Sequence, residues 1–188
     1  MKKLFAVLLS LMLLLPALAV GESGSTVDFG DFTLTVQPGD YLEQDVKADG
    51  NVMFTLLPDY DENNSFHPNV NCTWTAEALS SMDDAQAQEF AQSVLTNTAA
   101  ALEDMGVVVT DPMVLSAAYD ADSFSYTLIQ SMAVDYAPAG VDLQMELVQM
   151  QMYFCPGTFD GTYIFTFTAS GIDKLLVLMN YLDAINFK

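Results

Sequence analysis

Alternating apolar and polar residues predict strands in the first third of the chain. In 31–38 apolar residues alternate with polar ones and the run ends at Pro38, which predicts a strand followed by a turn. The run 51–57 is apolar on both faces and stops at Pro58, as expected of a buried strand. The alternation returns over 70–75, so three short strands are predicted here.

The period of the apolar residues changes to that of a helix between Met82 and Met105. Ser81 is placed to cap this helix, and Asp83 and Asp84 suit the positive end of its dipole. Gly106 supplies the left-handed residue with which helices commonly end. The sequence therefore predicts one long amphipathic helix that packs on another element.

Long strands follow the helix. The segment 107–117 reads as one strand that is broken or bulged near Pro112, and 123–136 reads as a second. The segment 143–154 is a third, and its apolar phase shifts after Leu147, which predicts a bulge.

The strand 162–168 completes a meander after a turn, and a second amphipathic helix is predicted from Ser170 to Ile185. The order of these elements predicts an α+β fold: an antiparallel β-sheet with amphipathic helices packed on its faces, an α/β/α sandwich.

The first residues carry the pattern of a secretory signal peptide. Lys2 and Lys3 precede an apolar run from Leu4 to Leu15, and Ala17-Leu18-Ala19 offers a cleavage site. The run is shorter than the roughly 20 apolar residues that span a bilayer. We expect a secreted, extracytoplasmic protein without a membrane span after cleavage, a retained anchor being the alternative.

This interpretation divides the chain into a signal peptide (1–19), a polar N-terminal segment (20–30) and a single α+β domain (31–188). The domain is long enough to bury a core of its own, and we expect it to be a monomer.

The balance of charged residues limits the classes of partner that this protein can bind. Five Lys or Arg residues stand against 25 Asp or Glu residues, for a formal net charge of -20. Such a field repels phosphate backbones and anionic lipids, so nucleic-acid binding is not expected. Cations, basic proteins, neutral glycans and apolar groups are compatible with this charge. The alternative interpretation is that the negative charge serves solubility alone.

Two cysteines form an even pair. A disulfide between Cys72 and Cys155 is chemically permitted in an exported protein, and two buried thiols in adjacent strands explain the residues equally well. Neither cysteine lies in a spacing typical of zinc ligands.

The acidic segment after Pro58 is the best candidate for a cation site. Asp59, Asp61 and Asn63 alternate as the first oxygen ligands of a calcium loop do, but Val70 stands where an EF-hand has its bidentate Glu. A looser Ca²⁺ site and a solvated turn are the two interpretations, and no other cofactor is expected.

Evidence for catalysis is weak in this sequence. The only histidine, His67, has no nucleophile or orienting residue at a recognisable spacing. Three tyrosines in predicted loops, Tyr41, Tyr60 and Tyr119, are instead candidates for contacts with a partner.

The chain resembles PsbP-like proteins. The resemblance rests on Phe32-Thr33-Leu34-Thr35-Val36 running into Pro38, on the strand Pro68–Trp74, and on a long helix, meander and terminal helix after them. It spans about Asp31 to Phe187. The family includes an extrinsic photosystem II subunit, a Ran-binding import factor and small exported bacterial proteins, mostly binding or assembly modules. The resemblance implies an α/β/α sandwich and no catalytic residues.

These observations favour a secreted, non-catalytic binding or assembly module whose partner is a protein or a cell-surface component. The alternative is a protein that binds a divalent cation or a small ligand. A hydrolase acting on neutral glycans or peptides is the third hypothesis.

Overall fold

A large antiparallel sheet dominates the computed structural model, which describes residues 24–46, 52–155 and 161–188. The predicted signal peptide and the residues 156–160 of the predicted turn lie outside this part. In chain order the elements are β1 (Thr26–Asp28), β2 (Phe32–Thr35), β3 (Tyr41–Val46), β4 (Val52–Leu57), β5 (Asn69–Thr75), α1 (Asp84–Asp104), β6 (Val108–Asp120), β7 (Ser125–Asp135), β8 (Gln144–Phe154), β9 (Thr162–Ser170), α2 (Ile172–Leu178) and β10 (Ile185–Phe187).

Seven strands form the large sheet in the order β3-β4-β5-β9-β8-β7-β6, and every neighbouring pair is antiparallel. The late strand β9 lies between β5 and β8, so the sheet joins the first third of the chain to the last. The described part of the protein is thus a mixed α+β fold, as the sequence predicts at this coarse level.

A second, small sheet joins the two ends of the described chain. Its order is β1-β2-β10, with β2 in the centre and both pairs antiparallel. Lys188 Nζ lies 2.6 Å from Asp28 Oδ1, an exposed ion pair across this sheet. The strand β1 falls in the segment 20–30 that the sequence analysis treats as polar and separate.

Helix α1 has a complete N-terminal cap. Asp83 is the cap residue: its carboxylate accepts a hydrogen bond from the Gln86 N–H at 2.9 Å, and Gln86 Oε1 accepts one from the Asp83 N–H at 2.9 Å. The helix therefore begins at Asp84, two residues later than a cap at Ser81 would place it. Gly106 follows its end with φ of +85°, the left-handed conformation that the sequence predicts.

Consecutive apolar residues of β8 belong to different clusters. Val148 and Met150 pack with Phe165 of β9 and Leu175 of α2. Leu147 packs instead with residues of α1 and β7. Because successive side chains of a strand point to opposite sides, both sides of β8 are buried.

This double burial corrects the bulge predicted in β8. The register between β7 and β8 runs without interruption from Ser125↔Phe154 to Asp135↔Gln144. The apparent change of apolar phase arises because both sides of the strand face apolar clusters. The irregularity predicted near Pro112 is confirmed, since the β6–β7 register shifts between Thr110 and Met113.

The terminal helix is shorter than predicted. Helix α2 ends at Leu178, and a 3₁₀ helix, Met179–Ala184, leads into β10. Residues 185–187 leave the helical pattern because their backbone pairs with β2. The strand β3, which the sequence analysis does not predict, pairs with the whole of β4.

Candidate functional site

A cleft of about 760 Å³ lies between the loop 58–68 and the last helical segment. The loop contributes Asp59, Asn64 and Phe66, and α2 contributes Asp173, Lys174 and Val177. The loop connects β4 to β5, and α2 follows β9, so the β5–β9 pairing brings the two walls together.

Asp40 ties the cleft to the turn that follows β2. Its carboxylate accepts hydrogen bonds from the Gln37 N–H at 2.9 Å and the Tyr181 hydroxyl at 2.7 Å, with the Asp59 N–H at 3.4 Å. Asp40 is 9% exposed. Burial raises the pKa of Tyr181, and its hydrogen bond to Asp40 raises this pKa further. Because the phenol stays protonated, it donates to Asp40 and holds the 3₁₀ helix Met179–Ala184 against the turn that follows β2.

The solvent-facing side of α2 carries three exposed apolar residues beside Asp173 and Lys174. Ile172, Leu176 and Val177 are 42%, 57% and 68% exposed, and Val177 also lines the cleft. Leu175 and Leu178 on the other side of this helix are buried. The helix thus has apolar residues on both sides, of which only one side contacts the core.

The proposed calcium ligands Asp59, Asp61 and Asn63 lie in the loop 58–68, where Asp61 and Asn63 contact each other. Asp61 Oδ1 accepts hydrogen bonds from the Asn63 N–H and side chain at 3.0 and 2.8 Å. These bonds lower the pKa of Asp61. Asp59 adopts φ of +46° and lines the cleft. Within the described ranges, no group of three or more His, Cys, Asp or Glu side chains is placed to hold a metal ion.

The three candidate tyrosines separate into a pair and a distant residue. Tyr60 is exposed, and its ring centroid lies 5.2 Å from that of Tyr41 and 4.8 Å from that of His67. Tyr41 begins β3 rather than lying in a loop, and Tyr119 lies in β6 and packs against the cluster around Tyr126. Pairing with β4 and β7 draws these two tyrosines into strands.

Both cysteines are free thiols in this structure. Cys72 is fully buried in β5, and burial raises the pKa of its thiol. Cys155 is half-buried just after β8. The strand β9 lies between β5 and β8, so the two thiols are not on adjacent strands. The disulfide stays a prediction.

The sequence does not predict the cleft or the exposed side of α2. The acidity of the loop residues is visible in the sequence, but their position opposite α2 depends on contacts between residues more than 100 positions apart. The exposed apolar side of α2 had a local signal, because Leu175-Leu176-Val177-Leu178 places apolar residues around the whole helix.

The fold defines this chain as an α+β protein built on one large antiparallel sheet, with an open cleft beside its last helix. No protein-family model and no curated protein matches the chain by sequence. None of the helices among the described residues is long and apolar enough to cross a bilayer.

Two solved structures are similar in fold. The Ran-binding protein Mog1p of Saccharomyces cerevisiae has a TM-score of 0.51 at 12% identity, over 90% of this chain and 96% of that one. A mutant of protein Mog1 has a TM-score of 0.50 at 13% identity, over 87% of this chain and 95% of that one. At such identities the likeness concerns the fold alone.

Proposed function

We propose that this protein is a non-catalytic binding module that docks a basic protein through α2 and the adjoining cleft. The observation that carries the proposal is the exposed apolar side of α2, with Ile172, Leu176 and Val177, on a strongly acidic molecule. Contiguous exposed apolar residues rimmed by charge are typical of protein-binding surfaces.

Charge identifies the kind of partner. Asp59 and Asp173 line the cleft, and Lys174 is the only cation among the lining residues. Asp61 and Asp183 are exposed and lie within two residues of lining residues in the sequence. A partner with an apolar centre and a rim of Lys or Arg complements this arrangement, and an acidic partner is repelled. The similarity in fold to a Ran-binding protein supports a binding role without identifying the partner here.

The layer arrangement and the cellular location are part of the same proposal. Helix α1 packs with β7 through Tyr126, and α2 packs with β9 through Phe165, which supports an α/β/α sandwich of the PsbP-like kind. The signal-peptide pattern of residues 2–19 supports export, so the partner is sought outside the cytoplasm.

A synthetic amphipathic helix of Leu and Lys tests the docking surface directly. We expect fluorescence anisotropy to show saturable binding that weakens with salt, because the rim attraction is screened. The double substitution Leu176→Asp and Val177→Asp should weaken binding at least tenfold, a loss of about 1.4 kcal/mol.

Leu115→Asp on β6 is the matched control, since Leu115 is an exposed apolar residue outside this surface at 47% exposure. It should leave the affinity unchanged, and a Leu-Glu peptide should not bind. Equal losses from both variants, or equal binding of the two peptides, would refute docking at α2.

A further inference from the structure

On one side of the large sheet, uncharged polar residues stand in two adjacent rows that cross the strands. The first row consists of Asn69, Thr168, Gln149 and Gln130, which are direct neighbours on β5, β9, β8 and β7. Directly paired residues of an antiparallel sheet point to the same side. This row is therefore a continuous line of amide and hydroxyl groups.

The second row lies two residues further along each strand. It consists of Thr55, Asn71, Thr166 and Gln151 on β4, β5, β9 and β8. The two rows together are called the polar block. Strand spacing of about 4.8 Å and a rise of about 3.4 Å per residue make each row roughly 14 Å long and separate the rows by about 7 Å.

Hydrogen bonds link the residues of the block. Gln130 Nε2 donates to Gln149 Oε1 at 2.9 Å, and Gln149 Nε2 donates to Thr168 Oγ1 at 3.2 Å. In the second row Thr55 Oγ1 donates to Asn71 Oδ1 at 3.0 Å. The side chains are therefore held in fixed orientations before any ligand arrives, which reduces the entropy lost on binding.

The block passes from buried to accessible. Gln130 and Gln149 are 0% exposed, and Thr55, Gln151 and Thr168 are also buried, whereas Asn69, Asn71 and Thr166 are half-buried. Helix α1 packs over β6 and β7 and contributes Thr98, whose hydroxyl accepts a hydrogen bond from Gln130 Nε2 at 3.2 Å. The block is thus buried beneath α1 and is accessible on β5 and β9.

This arrangement has a cost in stability. Gln130 Oε1 is buried and has no hydrogen-bond partner among the described residues. An unsatisfied buried polar atom costs about 1 to 3 kcal/mol, and apolar side chains would fill the same positions without that cost. Polar residues that lower the stability of the folded state are expected mainly at functional sites.

We propose that the polar block binds a neutral oligosaccharide. The block contains no charged residue, so it offers no counter-charge to an ion, and the net charge of -20 opposes anionic sugars. Its Thr, Asn and Gln side chains both donate and accept hydrogen bonds, as sugar hydroxyls require. The accessible residues lie on β5 and β9, and the spacing of about 4.8 Å between these strands is close to the length of one sugar ring along a glycan chain, so two successive rings can meet them. This site is independent of the docking surface on α2.

Titration of the ¹⁵N-labelled protein with cellohexaose and with maltohexaose tests the proposal. We expect one of these neutral hexamers, at millimolar concentration, to shift the amide signals of 69–73 and 164–168. Thr166→Val keeps the shape of the side chain and removes its hydroxyl, and should weaken binding several-fold. The double variant with Asn71→Ala should weaken it at least tenfold, with the folded spectrum retained.

Thr127→Val is the matched control, because Thr127 is a half-buried threonine of β7. It points to the other side of the sheet, since it pairs with Met152, which packs in the same cluster as Leu175 of α2. It should leave the affinity unchanged. Four results would overturn the proposal: no shift with either hexamer, shifts confined to other strands, equal effects of Thr127→Val and Thr166→Val, or binding of an anionic galacturonate hexamer with the same affinity. Shifts of the same amides by the Leu-Lys peptide would assign this side to a protein instead.

Discussion

Gly161 shows how a single residue is fixed by its surroundings. A Cβ atom added there would clash with the Thr75 carbonyl oxygen and would lie 2.6 Å from Trp74 Nε1. The backbone of Thr75 and the ring of Trp74 leave no room for a methyl group. The residue is glycine because of close packing between β5 and the start of β9.

Gly161→Ala should therefore destabilise the protein by about 1 to 3 kcal/mol, the usual cost of overpacking. Urea unfolding measures this cost, and the emission of Trp74, the only tryptophan, should change in the folded state. Gly140→Ala is the contrast, because a Cβ there meets nothing within 4 Å and only its φ of +91° is strained. An unchanged Trp74 spectrum in the first variant would contradict the predicted contact.

The burial of Tyr126 makes the stability of the folded protein depend on pH in the alkaline range. The residue is fully buried, its hydroxyl donates to the Ala87 carbonyl of α1 at 2.9 Å, and burial raises its pKa from 10.0 to about 12. A raised pKa in the folded state means that the contribution to stability is complete below pH 10 and is lost as the pH rises to about 12.

Tyr126→Phe should cost about 1 kcal/mol near neutral pH through the lost hydrogen bond. Between about pH 10 and 12 the stability of the wild type should fall relative to this variant by roughly 2 to 3 kcal/mol, since only the wild type must ionise the phenol. Urea unfolding over this range measures the difference. Exposed Tyr60→Phe provides the control, and a pH-independent difference for Tyr126→Phe would disprove the linkage.

At the scale of elements, α1 owes its first turn to a local cap. Asp83 and Gln86 satisfy each other's backbone N–H groups, and no distant residue is needed for this. Asp83→Ala should destabilise the protein by about 1 kcal/mol, whereas Asp83→Ser should be nearly neutral because serine also caps helices. Thermal unfolding distinguishes the two, and equal losses would indicate that the charge, not the cap, stabilises this end.

Local pattern predicted α1 better than it predicted the end of the chain. The helical period of α1 coincides with its packing, so its position could be read from the sequence. The period from Ser170 to Ile185 is equally helical, but β2 offers a pairing partner to residues 185–187 and the last turn becomes a strand. A partner about 150 residues away leaves no mark on the local sequence.

The candidate site could be predicted only in fragments. Asp59 and Tyr60 stood out for their charge and position, and both belong to the loop beside the cleft. Their position opposite α2 depends on β9 being inserted beside β5, which local periodicity does not specify. The polar rows escaped notice for the same reason, because each strand contributes only one or two of their residues.

In the described part of the molecule, the large sheet has a long exposed edge. Strand β6 forms the outer edge of the large sheet and exposes Val108, Met113 and Leu115. Such an edge invites pairing with other chains. Two register shifts and Pro112 interrupt it, and the acidic surface adds repulsion between copies. These features allow a long apolar edge without a partner strand.

The small sheet imposes an order of assembly on the chain. Phe32 of β2 is buried among aromatic residues of the large sheet. Its partner in the small sheet, Phe187, lies about 150 residues further along the chain and is therefore synthesised later. During synthesis β2 can pair its second edge only after residues 185–187 have been added, and contacts so distant in sequence form slowly. Until β10 pairs with β2, the aromatic residues around Phe32 therefore stay accessible to chaperones and proteases.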